Sequence, residues 1–504
     1  MTTSLSLPDA PAGASSTRRA GLLVILLTLL LPVALAIFVF PTPMGDLREQ
    51  IAWGREFPLV TPHHPPMMVW LSGIVDRIFG PEIVPQILTG QLLFVVAAIY
   101  IHLTLRFITE RDNVFLFSFL YVTGLYTIFG PASWVMNADT LQITSWPPVV
   151  YHFLRAARSN RWRHWLALGA WAAAAVLTKY SVGLLFAGMA AGVLAAPEFR
   201  RVLSRPGLYV AILICLVLVA PHFIALRTNP EAITFAAARF PFTPPSFDTL
   251  ISYGQLVFGY VFFLFTAWVV VVLGLLNGDL AFRPPARVLA EWPAALRFII
   301  VMNITVLVLL VLVITFTGLT YLFRFNAPFA TIAVLALAPL FTWTRGRRDG
   351  GERRVVFGIA AFNGALAVIA AVIYLGFTAH GIMQEPIAEP TEKVLADWHT
   401  EYACAPAYVT GHRDAAQLVG IHAGSETTAL SSEDVAGAPW FDPERLHQRG
   451  AVVLDYAPIV EGEVRRVFPE VTLGPEHVLT LPLLRTFTGQ TITYYYRFIA
   501  PRGC

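Results

Sequence analysis

Apolar runs of about 17–25 residues recur along the chain, separated by short stretches rich in arginine, proline and aromatic residues. A helix of that length crosses roughly 30 Å of hydrocarbon at about 1.5 Å per residue. The pattern predicts spans over residues 20–40, 84–108, 114–130, 140–157, 164–178, 181–196, 207–226, 251–276, 298–317, 322–343 and 355–378, about eleven crossings. Ala34-Leu35-Ala36 inside the first run could pass for a signal-peptide cleavage site, but the unbroken length of 20–40 marks an uncleaved anchor. From about residue 379 the pattern changes. A helical signal over 390–402 precedes β-rich stretches over 451–456 and 491–498, which predicts a small α/β domain. The expected fold class is an all-α polytopic membrane protein carrying a small C-terminal extracytoplasmic α/β domain.

Composition agrees with this pattern. Of 504 residues, 56% are hydrophobic and 13% charged, about half the charge of an average soluble domain. The net charge is only +3, and the arginines lie in short clusters between apolar runs, so nucleic acid is excluded as a partner. These clusters fall at every second junction, at Arg18 and Arg19, Arg106 and Arg111, Arg155 to Arg163, Arg200 to Arg205, Arg283 and Arg287, and Arg345 to Arg354. Short cytoplasmic loops collect Lys and Arg, so the N-terminus is read as inside and the C-terminal region as outside. The organisation expected is a cytoplasmic tail over 1–19, a membrane domain over 20–378 with a first outer loop over 41–83, and an extracytoplasmic domain over 379–504. Cys404 and Cys504 bracket that last domain, and their spacing alone does not decide whether they are bonded.

Unusual residues collect on the outer side. In the first outer loop, Asp46 opens a stretch with apolar Leu47, Ile51 and Trp53 and polar Glu49, which suits a helix lying in the membrane interface with a carboxylate at its N-terminal end. A plain capping role for Asp46 fits the same spacing. His63 and His64 are followed by Pro65 and Pro66, a rigid turn back toward the membrane. Adjacent histidines do not make a helical metal pair, so a structural or interfacial role is the first reading. Asp139, at the outer start of the fourth span, puts a second carboxylate on the face of Asp46, a candidate acid/base or cation-holding pair. Lys179 is one of two lysines in the chain and lies between two short apolar runs. An ammonium there costs several kcal/mol unless it meets an anion or water. A lysine snorkelling to lipid headgroups is the plainer alternative. Arg324 lies on the same side, so the two cations form a candidate phosphate site.

At these residues the chain resembles the C-type glycosyltransferase superfamily, in the group of protein O-mannosyltransferases and the lipid A aminoarabinose transferase. The resemblance rests on Asp46, on Trp53 seven residues later, on His64-Pro65-Pro66 eighteen residues after the Asp, on Asn137 to Thr140 and on Leu177 to Tyr180. It covers the first half of the chain, from about Ala20 to Leu194, with the motifs in order. The family's first-loop acidic pair is Asp-Glu, whereas here Leu47 follows Asp46. The missing carboxylate's role is then absent, or falls to Asp139, Glu49 or His63. No Trp-Trp-Asp motif of the oligosaccharyltransferases is present. The resemblance implies a polyprenyl-phosphate-sugar donor whose phosphate meets Lys179 and Arg324. Asp46 and Asp139 then serve catalysis, while Trp53, Glu49, His63 and His64 position the acceptor or the loop. It also implies inversion at the anomeric carbon and an acceptor among envelope lipids, glycans or proteins, at the outer face of a bacterial inner membrane. No cofactor is assigned, and a divalent cation stays open. The main rival is a transporter or flippase of a lipid-linked or anionic substrate, which needs ionisable groups near mid-membrane in both halves.

Overall fold

The structure, a computed structural model, describes residues 42–43, 45–109, 136–238, 240–276, 280–282, 292–343, 384–484 and 489–504, with isolated positions between 26 and 38 and between 361 and 376. The expected span 114–130 lies outside the described residues, as do most of 20–40 and 355–378.

The segment expected as the first outer loop folds into two helices, α1 (Asp46–Gly54) and α2 (Met67–Phe79). The bundle follows with α3 (Ile83–Thr109), α4 (Ala138–Ser159), α5 (Trp162–Val176), α6 (Val182–Ala195), the short α7 (Pro197–Arg200) and α8 (Pro206–Thr228). It continues with α9 (Pro230–Ala238), α10 (Phe247–Phe263), α11 (Phe265–Leu276), α12 (Ala294–Thr317) and α13 (Ala327–Leu337). Among the described residues, α3, α8 and α12 are long and apolar enough to cross a membrane. The bent unit Val182–Ala195 plus Pro197–Ser204, turned by 109°, makes up to a fourth. With most of three expected spans outside the described residues, the count of eleven stays an expectation. The span expected over 322–343 is divided into a 3-10 turn (Phe323–Asn326), α13 and a strand. That strand, β2 (Phe341–Trp343), pairs antiparallel with β1 (Leu280–Phe282), so the helical region is not wholly α.

Leu213, Leu216 and Val217 on α8 and Val257 on α10 are more than half exposed. Apolar surface on that scale calls for lipid. Inward faces pack closely, since glycines admit what a Cβ would block. A Cβ on Gly188 or Gly192 of α6 would lie 2.7 Å from Val306 Cγ2 or from the Phe298 ring of α12.

The last described segment, 384–504, forms an α/β domain of five strands, β3 (Tyr408–Gly411), β4 (Thr428–Ala429), β5 (Ala451–Asp455), β6 (His477–Pro482) and β7 (Thr491–Ile499), in the order β4-β3-β5-β7-β6. Strand β3 runs parallel to β4 and β5, whereas β7 is antiparallel to β5 and β6. Helices α14 (Glu389–Glu401) and α15 (Arg413–His422) cover one face through Trp398, Ala415 and Val419, while α16 (Pro443–Arg449) and α17 (Glu461–Val467) cover the other through Leu446 and Val464. A disulfide joins Cys404 to Cys504.

Helix α1 departs from the interfacial position read from its sequence. Leu47 to Gly54 are all buried. The polar side that was expected to meet water or headgroups instead meets the C-terminal domain. Arg48, 1% exposed, donates to the Pro43 carbonyl (2.9 Å), the Asp414 carbonyl (2.6 Å) and Glu385 Oε2 (3.3 Å). The other side of α1 crosses α2 at Gly54 and Gly73, where a Cβ on Gly54 would stand 2.6 Å from the Gly73 nitrogen. The segment of α1 and α2 is thus a wedge between the bundle and the α/β domain.

Candidate functional site

Two charged clusters occupy the end of the bundle that faces the α/β domain. The first is built from helix termini. Asn137 caps α4, its Oδ1 accepting from the Thr140 amide at 3.0 Å, which fixes Asp139 in the first turn. Helix α5 stops at Val176 and α6 resumes at Val182, and Lys179 occupies the turn between them. The Gln142 side-chain amide donates to Ser181 Oγ (2.7 Å) and the Met67 amide donates to the Leu177 carbonyl (2.9 Å), tying the turn to α4 and to α2. Lys179 Nζ then reaches Asp139 Oδ1 at 2.6 Å, across 40 residues. The Phe325 ring completes the site, with Lys179 Nζ at 4.8 Å and the Arg324 guanidinium carbon at 5.6 Å from its centre. Arg324 Nε is buried and makes no hydrogen bond.

The second cluster joins α1 to the α/β domain. His63 Nδ1 faces Glu49 Oε2 at 3.1 Å and His63 Nε2 faces Asp434 Oδ1 at 3.1 Å, while Arg413 donates to the same Glu49 oxygen at 2.6 Å. Burial opposes charge on His63, but the two flanking carboxylates outweigh it and raise the imidazole to about 9. Burial also pushes the Glu49 carboxyl up, against the pull of His63 and Arg413. Its Oε2 accepts from both, the geometry of a carboxylate. Trp53 packs its ring 5.2 Å from His63 and 5.9 Å from Trp440. Glu49, His63 and Asp434 also present ligand atoms within 4.8 Å of one another and are the group that could hold a metal ion. A cation there would compete with His63⁺ and Arg413, which already neutralise both carboxylates.

The sequence-predicted residues therefore divide. Asp139 and Lys179 come together as an ion pair, and Arg324 is linked to them only through the Phe325 ring that it shares with Lys179. Glu49, His63 and Trp53 assemble in the other cluster, and His64 stands beside His63, ring centres 6.5 Å apart. Asp46 is the first residue of α1, with Gly45 at the cap position, so the capping reading does not hold. Its half-buried carboxylate has no hydrogen bond or ion pair among the described residues, and Arg413 is a cation close enough to feel its charge. Arg413, Asp434 and Phe325 were missed. The first two lie in a domain without a recognisable motif, more than 360 residues from Glu49. Phe325 is one aromatic among 36 phenylalanines.

Residues 63–224 match the sequence pattern of the dolichyl-phosphate-mannose-protein mannosyltransferase family. No curated protein matches the chain in sequence. In fold the chain is similar to ArnT from Cupriavidus metallidurans, solved bound to undecaprenyl phosphate and in the apo state. Each comparison gives a TM-score of 0.57 and 14% identity, covering 96% of this chain and 98% of that one. The family match takes in Asp139 and Lys179, and the fold is similar to that of ArnT over nearly the whole length of both chains.

Proposed function

We propose that the protein transfers a sugar from a polyprenyl-phosphate carrier to an acceptor in the bacterial envelope (lipid A or core, another glycan, or protein) on the outer face of the inner membrane. In this reading the membrane is crossed many times, with a cytoplasmic N-terminus and a periplasmic α/β domain. The observation that carries the proposal is the Lys179–Asp139 ion pair with Arg324 on the same Phe325 ring, two cations against one anion, which favours a phosphate there. That ArnT was solved with undecaprenyl phosphate bound supports the same class of carrier.

The acceptor oxygen attacks the anomeric carbon as the bond from that carbon to the phosphate oxygen breaks. The electron pair leaves with polyprenyl phosphate, configuration inverts, and the acceptor proton passes to Asp46. Lys179 and Arg324 stabilise the charge developing on the leaving phosphate. Asp139 holds the ammonium in place and yields part of that pairing when the phosphate arrives. A transporter is disfavoured because these groups sit at one end of the bundle, with none of them at its middle. The test is mass spectrometry of envelope lipids and glycans from cells with and without the gene product. A glycan or lipid that loses one sugar on deletion supports the proposal. An unchanged envelope, together with no sugar transfer by purified protein supplied with polyprenyl-phosphate-sugars, would overturn it.

A further inference from the structure

At the opposite end of the bundle a cavity of about 510 Å³ opens between α4, α5, α6 and α8. Its wall is apolar, formed by residues such as Phe153, Ala172, Met189, Val193, Leu203 and Ile212. The size is that of a small-molecule pocket, but the wall supplies almost no polar group to orient a polar ligand. Leu194, Leu203, Ile212 and Leu216 line the cavity while being about half exposed, so it opens sideways toward lipid.

The mouth is charged. After α6 the chain turns by 109° into Pro197–Ser204, with Phe199 and Val202 buried and Arg200 and Arg201 exposed. Arg200 donates to the carbonyl of cavity-lining Leu194 through Nε (2.9 Å) and a terminal nitrogen (2.6 Å). Arg205 donates to the Ala156 and Ala157 carbonyls at the end of α4. These partners are neutral, so three positive charges keep no carboxylate partner among the described residues. The nearby acid, Glu198, is taken by Arg297. An apolar slot with a lateral opening and a triple-arginine rim is complementary to one molecule class, a lipid with an acyl chain and an anionic headgroup.

We propose that this cavity binds an anionic phospholipid of the cytoplasmic leaflet, one acyl chain in the slot and its phosphate against Arg200, Arg201 and Arg205. The placement in that leaflet rests on the arginine-inside orientation adopted above. The site is separate from the carrier site, which lies at the other end of α4 and α6. Cys215 also lines the cavity and is the free cysteine among the described residues, so occupancy is readable by alkylation.

The experiment uses full-length protein, delipidated in mild detergent, with phosphatidylglycerol and phosphatidylethanolamine of identical chains compared by native mass spectrometry. Phosphatidylglycerol is expected to bind more tightly and to slow alkylation of Cys215 by N-ethylmaleimide. Each exposed arginine removed should weaken binding about fivefold, so Arg200→Gln combined with Arg201→Gln loses about 25-fold while sugar transfer persists. Ala172→Phe, which fills the slot, should abolish protection of Cys215. Should that variant fail to fold, the surface double variant decides alone. Equal binding of the two phospholipids, or unchanged phosphatidylglycerol binding in the double variant, would overturn the proposal. Displacement of phosphatidylglycerol by polyprenyl phosphate would also overturn it and give the cavity to the carrier's tail. Failure of the sugar-transfer proposal would show instead as absent transfer with lipid selectivity intact.

Discussion

The two charged clusters at the end of the bundle that faces the α/β domain are made of similar residue types, yet their charge balance differs. Around His63, two carboxylates meet two cations, and each nitrogen of the imidazole has its own acceptor. Around Lys179, one carboxylate meets the ammonium, and a second cation, Arg324, shares the Phe325 ring with it but has no carboxylate partner among the described residues. A buried set that is already neutral gains little from a further ion, because the ion must displace a partner to enter. A set with surplus positive charge in a dry place is paid for only when an anion arrives. Under the proposed function, the difference makes the first cluster scaffold and the second the site of substrate handling.

The largest expected effect falls on a residue that belongs to neither cluster. If Asp46 takes the acceptor proton, Asp46→Asn removes a base and should lower transfer by about 10²–10⁴-fold at unchanged expression. Turnover of the purified variant with a polyprenyl-phosphate-sugar measures it. Near-normal turnover would leave the free carboxylate without a catalytic role.

Next in size is the neutral cluster. Glu49→Gln or Asp434→Asn strips one partner from a buried charged set, and such losses cost about 3–5 kcal/mol. Thermal unfolding of the detergent-solubilised protein should show this, with carrier binding weakened far less than stability. Were carrier binding lost while the melting temperature stayed constant, scaffold and site would have been assigned the wrong way round.

A smaller effect comes with pH. The folded protein holds the His63 proton up to about 9, against about 6.5 when unfolded. The stabilisation is therefore complete below pH 6.5 and is lost as pH rises through 9, in all about 3 kcal/mol. Melting temperatures from pH 6 to 10 should fall in the wild type. They should fall less in His63→Gln, which cannot hold the proton at any pH. Parallel curves for the two proteins would show that His63 is not the charged bridge.

Legibility of the sequence follows the same division. Asp139 and Lys179 stood out because each is a charge at the end of an apolar run, where the membrane makes charge expensive, and the structure joins them through elements 40 residues apart. Helix boundaries in that region were readable for the same reason: 181–196 and 207–226 correspond to Val182–Ala195 and Pro206–Thr228. The burial of α1 was not legible. Its alternation of Leu47, Ile51 and Trp53 with Arg48, Glu49 and Gln50 fits a membrane surface as well as it fits a helix held between two bodies. Only the partner distinguishes them, and Glu385, Arg413 and Asp434 lie more than 330 residues away. The break of 322–343 was hidden by apolar residues that suit a 3-10 turn, a helix and a strand alike.

The central claim is that the surplus charge at Lys179 and Arg324 holds the carrier's phosphate. It is tested most directly by binding of a short-chain polyprenyl phosphate to purified protein in detergent. An ammonium and a partly desolvated phosphate contribute about 2–3 kcal/mol. Lys179→Met should therefore weaken binding about 30- to 150-fold, whereas Lys179→Arg, which keeps the charge, should retain part of it. Asp139→Asn, which frees the ammonium, should keep carrier binding measurable. If Lys179→Met binds the carrier as tightly as the wild type, the phosphate does not sit at this cluster and the ion pair to Asp139 is structural.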